Sequence, residues 1–452
     1  MSGRLHLNAR VCGVAVFVLL AKNAISAKLS VPIVSPNVRG DGRRDGALVV
    51  RRLHSERQRK LVRKGQTSSS TWLPHQRAIH HSFEHQETFL PHQRALGTGT
   101  INVQNCDDVE FYGLIGLGTP VQTFSVIFDT GSSDLWITGS ECTTGDCTDV
   151  DINKYDHTAS ETYIAIGDAV SIEYEDLSSA TGHTSADTLS LGNLQVTNQK
   201  FAEITQRDMD GCSQNDGIMG LGFDSLSEVS GTTPFHNLVN RGLLDEPVFS
   251  LYLNHGNNGH LLFGGADPEH YEGCLVDVPL TNTHSGYWEI TMDDFTSKTG
   301  SSFFTQDHSS WQGIVDSGTS LIIGPYAEVA NIFTNFGAEC LYWNEHFGEY
   351  DDINCHTGGH SNKLDFGILE CQSGTLELDS VYIKMNGELF EIKSEDFVLP
   401  IEGSGYCLLG FSTHDWGKWI LGDTFMLGYY SVFDYINSKL SFASSTHHRT
   451  SA

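Results

Sequence analysis

One pattern that occurs twice constrains this chain more than any other feature. Phe128-Asp129-Thr130-Gly131-Ser132-Ser133 returns as Val315-Asp316-Ser317-Gly318-Thr319-Ser320. Downstream of each copy come two apolar residues and a glycine, Ile218-Met219-Gly220 and Ile420-Leu421-Gly422. Each Asp ends an apolar, strand-like run and is followed by a hydroxyl residue, a glycine and a second hydroxyl residue. The glycine permits a tight turn, so each carboxylate is expected at a loop tip, within reach of neighbouring N–H and O–H groups. A single Asp-Ser-Gly is ordinarily no more than an Asx turn. Two copies with matching lead-ins imply two similar lobes, each contributing one carboxylate.

Between and around the two copies the texture is short strands and turns. Phe111 to Gly118 and Phe124 to Phe128 are apolar runs joined by Thr119-Pro120, which predicts a hairpin. Comparable runs recur at 194–196, 249–253, 261–263, 314–315, 381–383 and 431–433. Helical periodicity is scarce. Val329, Ile332, Phe333 and Phe336 share a face behind Pro325, and 234–239 before Gly242 is a shorter candidate. The expected fold class is all-β, with few helices.

Charge divides the chain. Lys and Arg number 27 against 56 Asp and Glu. Residues 1–27 carry three bases and no acid, and residues 28–97 carry a net charge of +8. The remaining body, 98–452, is left at −40. Nothing in such a body neutralises a phosphate backbone, which excludes a nucleic-acid binder, and no apolar run reaches the roughly 18 residues of a membrane span. Arg4 and Arg10 ahead of the apolar stretch Val11–Ala21 and the small residues up to Ala27 read as a secretory signal. The basic segment 28–97, with its duplicated Leu-Pro-His-Gln-Arg-Ala at 73–78 and 90–95, reads either as a propeptide or as a basic tail. Setting Cys12 aside with the signal leaves nine cysteines, for which an oxidising route makes disulfides the first reading. Cys142 and Cys147 close a small loop and are expected to pair. A zinc site drawing on Cys355, His356 and His360 is the competing reading.

Several motifs resemble the pepsin-like aspartic proteases (pepsin, cathepsin D, plasmepsins). FSVIFDTGSSDLW at Phe124–Trp136, GIVDSGTSLIIGP at Gly313–Pro325, WILGD at Trp419–Asp423 and Val432-Phe433-Asp434 carry the likeness, which covers most of 108–443. The resemblance implies a bilobal all-β fold with a cleft between the lobes, made as an inactive zymogen. The lobes would be 98–285 and 286–443, behind a signal (1–27) and a propeptide (28–97), with a polar tail at 444–452. Asp129 and Asp316 would be the catalytic pair, with Thr130, Gly131, Ser132, Ser317, Gly318 and Thr319 supporting their loops. Two carboxyls held close cannot both ionise easily, so one keeps its proton while the other activates a water. No metal or other cofactor is expected. The expected partners are protein and peptide substrates and the chain's own propeptide, acting as inhibitor of a monomeric enzyme. The expected location is the secretory pathway, in an acidic vacuole or lysosome-like compartment or outside the cell.

The same resemblance makes Tyr174 the tyrosine of a flap that closes over substrate, and Trp136 the tryptophan that supports it. An ordinary strand tyrosine and a plain core tryptophan are the alternatives. This chain departs from the family's glycine-rich flap turn, having Glu175-Asp176-Leu177-Ser178-Ser179 there. Cys371 and Cys407 match a second-lobe disulfide of the family. About 20 further residues between Ala338 and Cys371 bring Cys340 and Cys355, expected to pair with each other. Cys106 is expected to pair with Cys212, leaving Cys274 free. The function expected is that of an acid endopeptidase cleaving between bulky apolar residues; the alternative is a catalytically silent homologue that binds peptides or a protein.

Overall fold

A computed structural model describes residues 97–446, apart from 107, 109, 149–151, 175–177, 210–214, 257, 306–309, 345–348, 356–364, 372–375, 402–403 and 415. The signal, the basic segment and its duplicated hexapeptide, and the flap turn 175–177 therefore lie outside the described residues. What is described is mostly strand, arranged as large β-sheets in two lobes. The all-β bilobal expectation holds.

Both carboxylate loops grow out of the same local construction. In the first half, Gln122–Asp129 runs parallel to Gly217–Gly220, with Asp129 opposite Gly220, and Gly217–Gly220 is antiparallel to Leu135–Thr138. In the second half, Trp311–Val315 runs parallel to Trp419–Leu421, with Val315 opposite Leu421, and Trp419–Leu421 is antiparallel to Ile322–Pro325. Each Asp thus leaves the end of a strand flanked by the glycine-ended strand that the sequence repeats downstream. These strands are buried on both faces, which explains their unbroken apolar runs.

The expected hairpin forms, Glu110–Leu117 pairing antiparallel with Gln122–Asp129. Tyr326–Phe336 is a helix behind Pro325, ended by Gly337 in the left-handed conformation at φ 67°. A second, shorter helix spans Pro234–Asn240. The last strands of the chain, Tyr429–Asp434 and Lys439–Ser445, join the sheet of the first half, where Tyr429–Asp434 pairs with Val248–Tyr252. Phe249 and Phe433 stack at 4.5 Å across this seam, with Trp288 packed edge-on to both. Each such fully buried aromatic contributes on the order of 2–3 kcal/mol by leaving water, so the seam is a substantial part of the core.

Cys142–Cys147, Cys340–Cys355 and Cys371–Cys407 are disulfides, as expected. The bond to Cys340 occupies the Cys355 sulfur that the zinc reading needed. Cys274 corrects the sequence reading: it is disulfide-bonded, not free, and so is Cys106. The reading rested on parity after removal of Cys12, and parity cannot say which thiol is left over. Cys212 lies outside the described residues, and with it the expected Cys106–Cys212 pairing. Among the described residues, no helix is long and apolar enough to cross a membrane.

Candidate active site

The two repeated loops meet. A Cβ placed on Gly131 would lie 2.5 Å from the carboxyl carbon of Asp316, and one on Gly318 would strike Asp129 in the same way. Each glycine is therefore the space into which the opposite carboxyl fits. The loops are also tied across a pseudo-twofold. Thr130 Oγ1 donates to the Val315 carbonyl at 2.8 Å, and Ser317 Oγ donates to the Phe128 carbonyl at 2.6 Å. The Ser317 amide donates to Thr130 Oγ1 at 2.9 Å, and the Thr130 amide to Ser317 Oγ at 3.2 Å. Thr130 and Ser317 are buried, so these four bonds lie away from solvent.

Each carboxylate is held by its own turn in the same manner. Asp129 accepts from the Gly131 amide at 2.8 Å and from Ser132 Oγ at 2.5 Å. Asp316 accepts from the Gly318 amide at 2.9 Å and from Thr319 Oγ1 at 2.7 Å. All eight residues singled out in the repeats are thus brought together in one cluster. Burial, and then the facing Asp316 charge, push the Asp129 carboxyl well above the usual carboxylate range, against the hydrogen bonds from Ser132 and Gly131. The Asp129 carboxyl thus keeps its proton to a higher pH than an isolated aspartate does.

Tyr174 and Trp136 also meet: the indole Nε1 donates to the Tyr174 hydroxyl at 2.7 Å. Trp136 is fully buried, and Tyr174 stands at the end of the strand Ile164–Glu173, whose hairpin partner is Ser179–Leu191. Sequence reasoning passed over one neighbour. Asp423, quoted only as the last letter of WILGD, is buried beside the Asp316 loop and donates its amide to the Thr319 carbonyl at 2.8 Å. Burial, then the Asp316 charge, raise its carboxyl well above the usual range.

A family profile for eukaryotic aspartyl proteases matches residues 110–445. The chain belongs to this family. Cathepsin D of Dictyostelium discoideum is 36% identical over 359 residues, 76% of this chain and 86% of that protein. Pepsin-3 of Oryctolagus cuniculus is 34% identical over 355 residues, 76% of this chain and 84% of that protein. Rhizopuspepsin of Rhizopus chinensis is 36% identical, over 75% of this chain and 79% of that protein. As a member of the aspartyl protease family the chain is an aspartic-type endopeptidase, a hydrolase of peptide bonds. Its disulfides fit an extracellular or secretory-pathway location.

Proposed function

We propose that this aspartyl protease is an acid endopeptidase in which Asp129 and Asp316 together activate a water molecule, and that it is made as a secreted zymogen. The observation that carries the mechanism is the mutual fit of the two carboxyls across Gly131 and Gly318. With one proton shared by the pair, the ionised member takes a proton from the water, which attacks the peptide carbonyl. The protonated member hydrogen-bonds the developing oxyanion, and a proton then passes to the leaving nitrogen. Tyr174, fixed by Trp136, closes the hairpin over a substrate with bulky apolar residues on either side of the scissile bond. The catalytically silent alternative is not favoured, because both Asp residues and both glycines are in place.

The basic segment 28–97 is the natural inhibitor of so acidic a body, lying across the cleft at neutral pH and released as carboxylates protonate. Incubation of the purified full chain at pH 4 tests both parts. Wild type converts itself and cleaves peptides, whereas Asp129→Asn and Asp316→Asn each lose several orders of magnitude in turnover and stay unprocessed. The double variant loses little more than either single one, because the pair acts as a unit. Near wild-type peptidase activity in either single variant refutes the mechanism. Full activity of the uncut chain at pH 7 refutes the zymogen.

A further inference from the structure

Two segments that run beside the dyad carry side chains the mechanism does not use. Tyr287 precedes Trp288, whose carbonyl accepts from the Val315 amide at 3.2 Å, one residue before Asp316. On its other side the Gly286 carbonyl accepts from the Phe223 amide at 3.0 Å. Gly222, next to Phe223, donates its amide to the Ser132 carbonyl of the Asp129 loop at 2.7 Å. Tyr287 is therefore wedged between the two carboxylate loops. Trp416 packs edge-on to it, with ring centroids 5.6 Å apart. Even so, Trp416 is 39% exposed, and it is the one aromatic among the exposed large apolar side chains of the described residues. An indole left in water at the edge of a cleft is a surface for a ligand to cover.

A charge stands beside this edge. Lys418 Nζ lies 5.6 Å from the centre of the Trp416 ring and donates to Glu289 Oε2 at 2.5 Å. Glu289 is opposite Ile314 in the ladder, two residues before Asp316. Its side chain is 1% exposed, whereas that of Lys418 is 24% exposed. The pair thus points outward, with its negative end in the core and its positive end at the surface. An ammonium carries three N–H groups, and among the described residues Glu289 is the only hydrogen-bond acceptor of Lys418. The six strands that build the two carboxylate loops hold no Lys or Arg, and Lys418 directly precedes the last of them, Trp419–Leu421. A buried carboxylate tied to an ammonium adds little stability over apolar residues of the same size, so stability does not account for a lysine here.

We propose that Lys418 is a specificity-determining residue: with Trp416 and Tyr287 it forms a corner of the cleft that takes the carboxylate side chain of an Asp or Glu flanking the scissile pair of a peptide substrate. The methylene stem of that side chain covers the exposed part of the indole, and the carboxylate accepts from the N–H groups that Glu289 leaves over. Glu289 itself is too deeply buried to meet a substrate cation. The body as a whole works in the opposite sense, since a charge of −40 draws cationic peptides from a distance. A preference for an acidic residue at one position is therefore a local signature of Lys418 that the overall charge cannot produce.

The inference rests on the endopeptidase reading, and its test tells the two apart. Wild type incubated at pH 4 is brought to pH 5.5 and 0.15 M salt and given sets of peptides. The peptides of a set differ only in Glu, Gln or Lys at one position flanking the scissile bond. At this pH a peptide Glu is ionised, and the field of the body is screened beyond about 8 Å. At one position the Glu peptide should exceed the Gln peptide about fivefold in kcat/KM, the upper worth of a partly exposed ion pair, with the Lys peptide no better than Gln. Lys418→Arg keeps the preference and Lys418→Met removes it. Because Lys418→Met strands the Glu289 charge, the double variant Lys418→Met, Glu289→Gln is the second reading. It should cleave the Gln peptide as wild type does and no longer favour Glu, a change that loss of a merely structural pair would not produce. Equal Glu and Gln rates at every position in wild type, a preference for Lys at that position, or a Glu preference surviving in the double variant overturns the inference. Peptides left uncut by wild type would refute the endopeptidase reading, and the inference with it; peptides cut without an acidic preference refute the inference alone.

Discussion

Gly131→Ala is the sharpest test of how the site is built, because it adds one methyl group and touches neither carboxylate covalently. The new carbon would lie 2.5 Å from Asp316 Cγ and Oδ1 and 2.6 Å from Oδ2. Non-bonded carbons rest about 3.5–4.0 Å apart, so the Asp316 carboxyl must retreat by about 1 Å. It cannot do so freely, since the Gly318 amide and Thr319 Oγ1 hold its two oxygens at 2.9 and 2.7 Å. Misplacing a reacting group by about 1 Å costs roughly 100-fold in rate, or about 2.7 kcal/mol of barrier. Gly131 is not among the residues with positive φ, so the backbone itself accepts alanine. The loss should therefore appear in turnover of a peptide at acid pH, with a thermal midpoint close to that of the parent. Gly242→Ala is the opposite control: it has φ 60° with nothing within 4 Å of its Cβ, so it should cost about 1 kcal/mol of stability and leave turnover alone. Wild-type turnover in a well-folded Gly131→Ala protein would show that Asp316 does not act from the position it occupies here.

Four further outcomes are expected. His255 lies between Asp108 and Asp396, at 3.3 and 2.9 Å, so His255→Leu leaves two buried carboxylates facing each other and should cost about 3–5 kcal/mol in urea unfolding. Both carboxylates push the His255 pKa up to about 10 against desolvation, so its contribution is complete below about pH 6.5 and should disappear as pH rises through 10. Tyr174→Phe removes the acceptor of the Trp136 N–H and should lower kcat/KM several-fold, about 1 kcal/mol, with the fold unchanged by circular dichroism. Replacing Cys340 and Cys355 by alanine opens a loop of 15 residues and should cost about 3 kcal/mol in the same unfolding assay. Finally, the Asp129→Asn protein should unfold at higher urea concentration at pH 5 than at pH 8.

The parts of the molecule that were legible in the sequence are those whose signal is local. The Asp129 and Asp316 loops announce themselves because strand, turn and hydroxyls are contiguous, and the Tyr326–Phe336 helix because its apolar face repeats over about two turns. The Tyr174–Trp136 contact was reachable only through family likeness, since nothing local links the two residues. The buried place of Glu203 was not reachable. In Phe201-Ala202-Glu203-Ile204-Thr205-Gln206 it reads as a solvent-facing charge in an alternating strand, and only tertiary structure brings His157 and His183 to it. The seam where Tyr429–Asp434 joins Val248–Tyr252 was hidden for the same reason: apolar alternation says that a strand is buried, not which strand it pairs with.

The direction of the last prediction follows from which way burial and neighbouring charges move the buried carboxyls and imidazoles. Asp216 is buried and has its carboxyl raised by burial, against hydrogen bonds from Ser125 and Asn153. Asp423 is raised by burial and by the Asp316 charge. A carboxyl raised in the folded state binds its proton more readily there than in the unfolded chain, so folding gains stability as pH falls toward the raised value. The raised histidines, His157 and His255, have the same sign, because their contributions are complete only in acid. His260, lowered by burial and by the His270 charge, opposes them. The carboxyls that are lowered, Asp108, Asp156, Asp187, Asp224 and Asp277, gain nothing on acidification, but they stay ionised until pH falls below the ordinary value of 3.8. Self-repulsion of a body at −40 also weakens as surface acids approach their range. Above about pH 4, most of these terms favour the acid side, and only below it do the lowered carboxyls begin to withdraw theirs. A protein more resistant to urea at pH 8 than at pH 5 would mean that Asp216 and Asp423 are not held in the buried, proton-retaining environments described here.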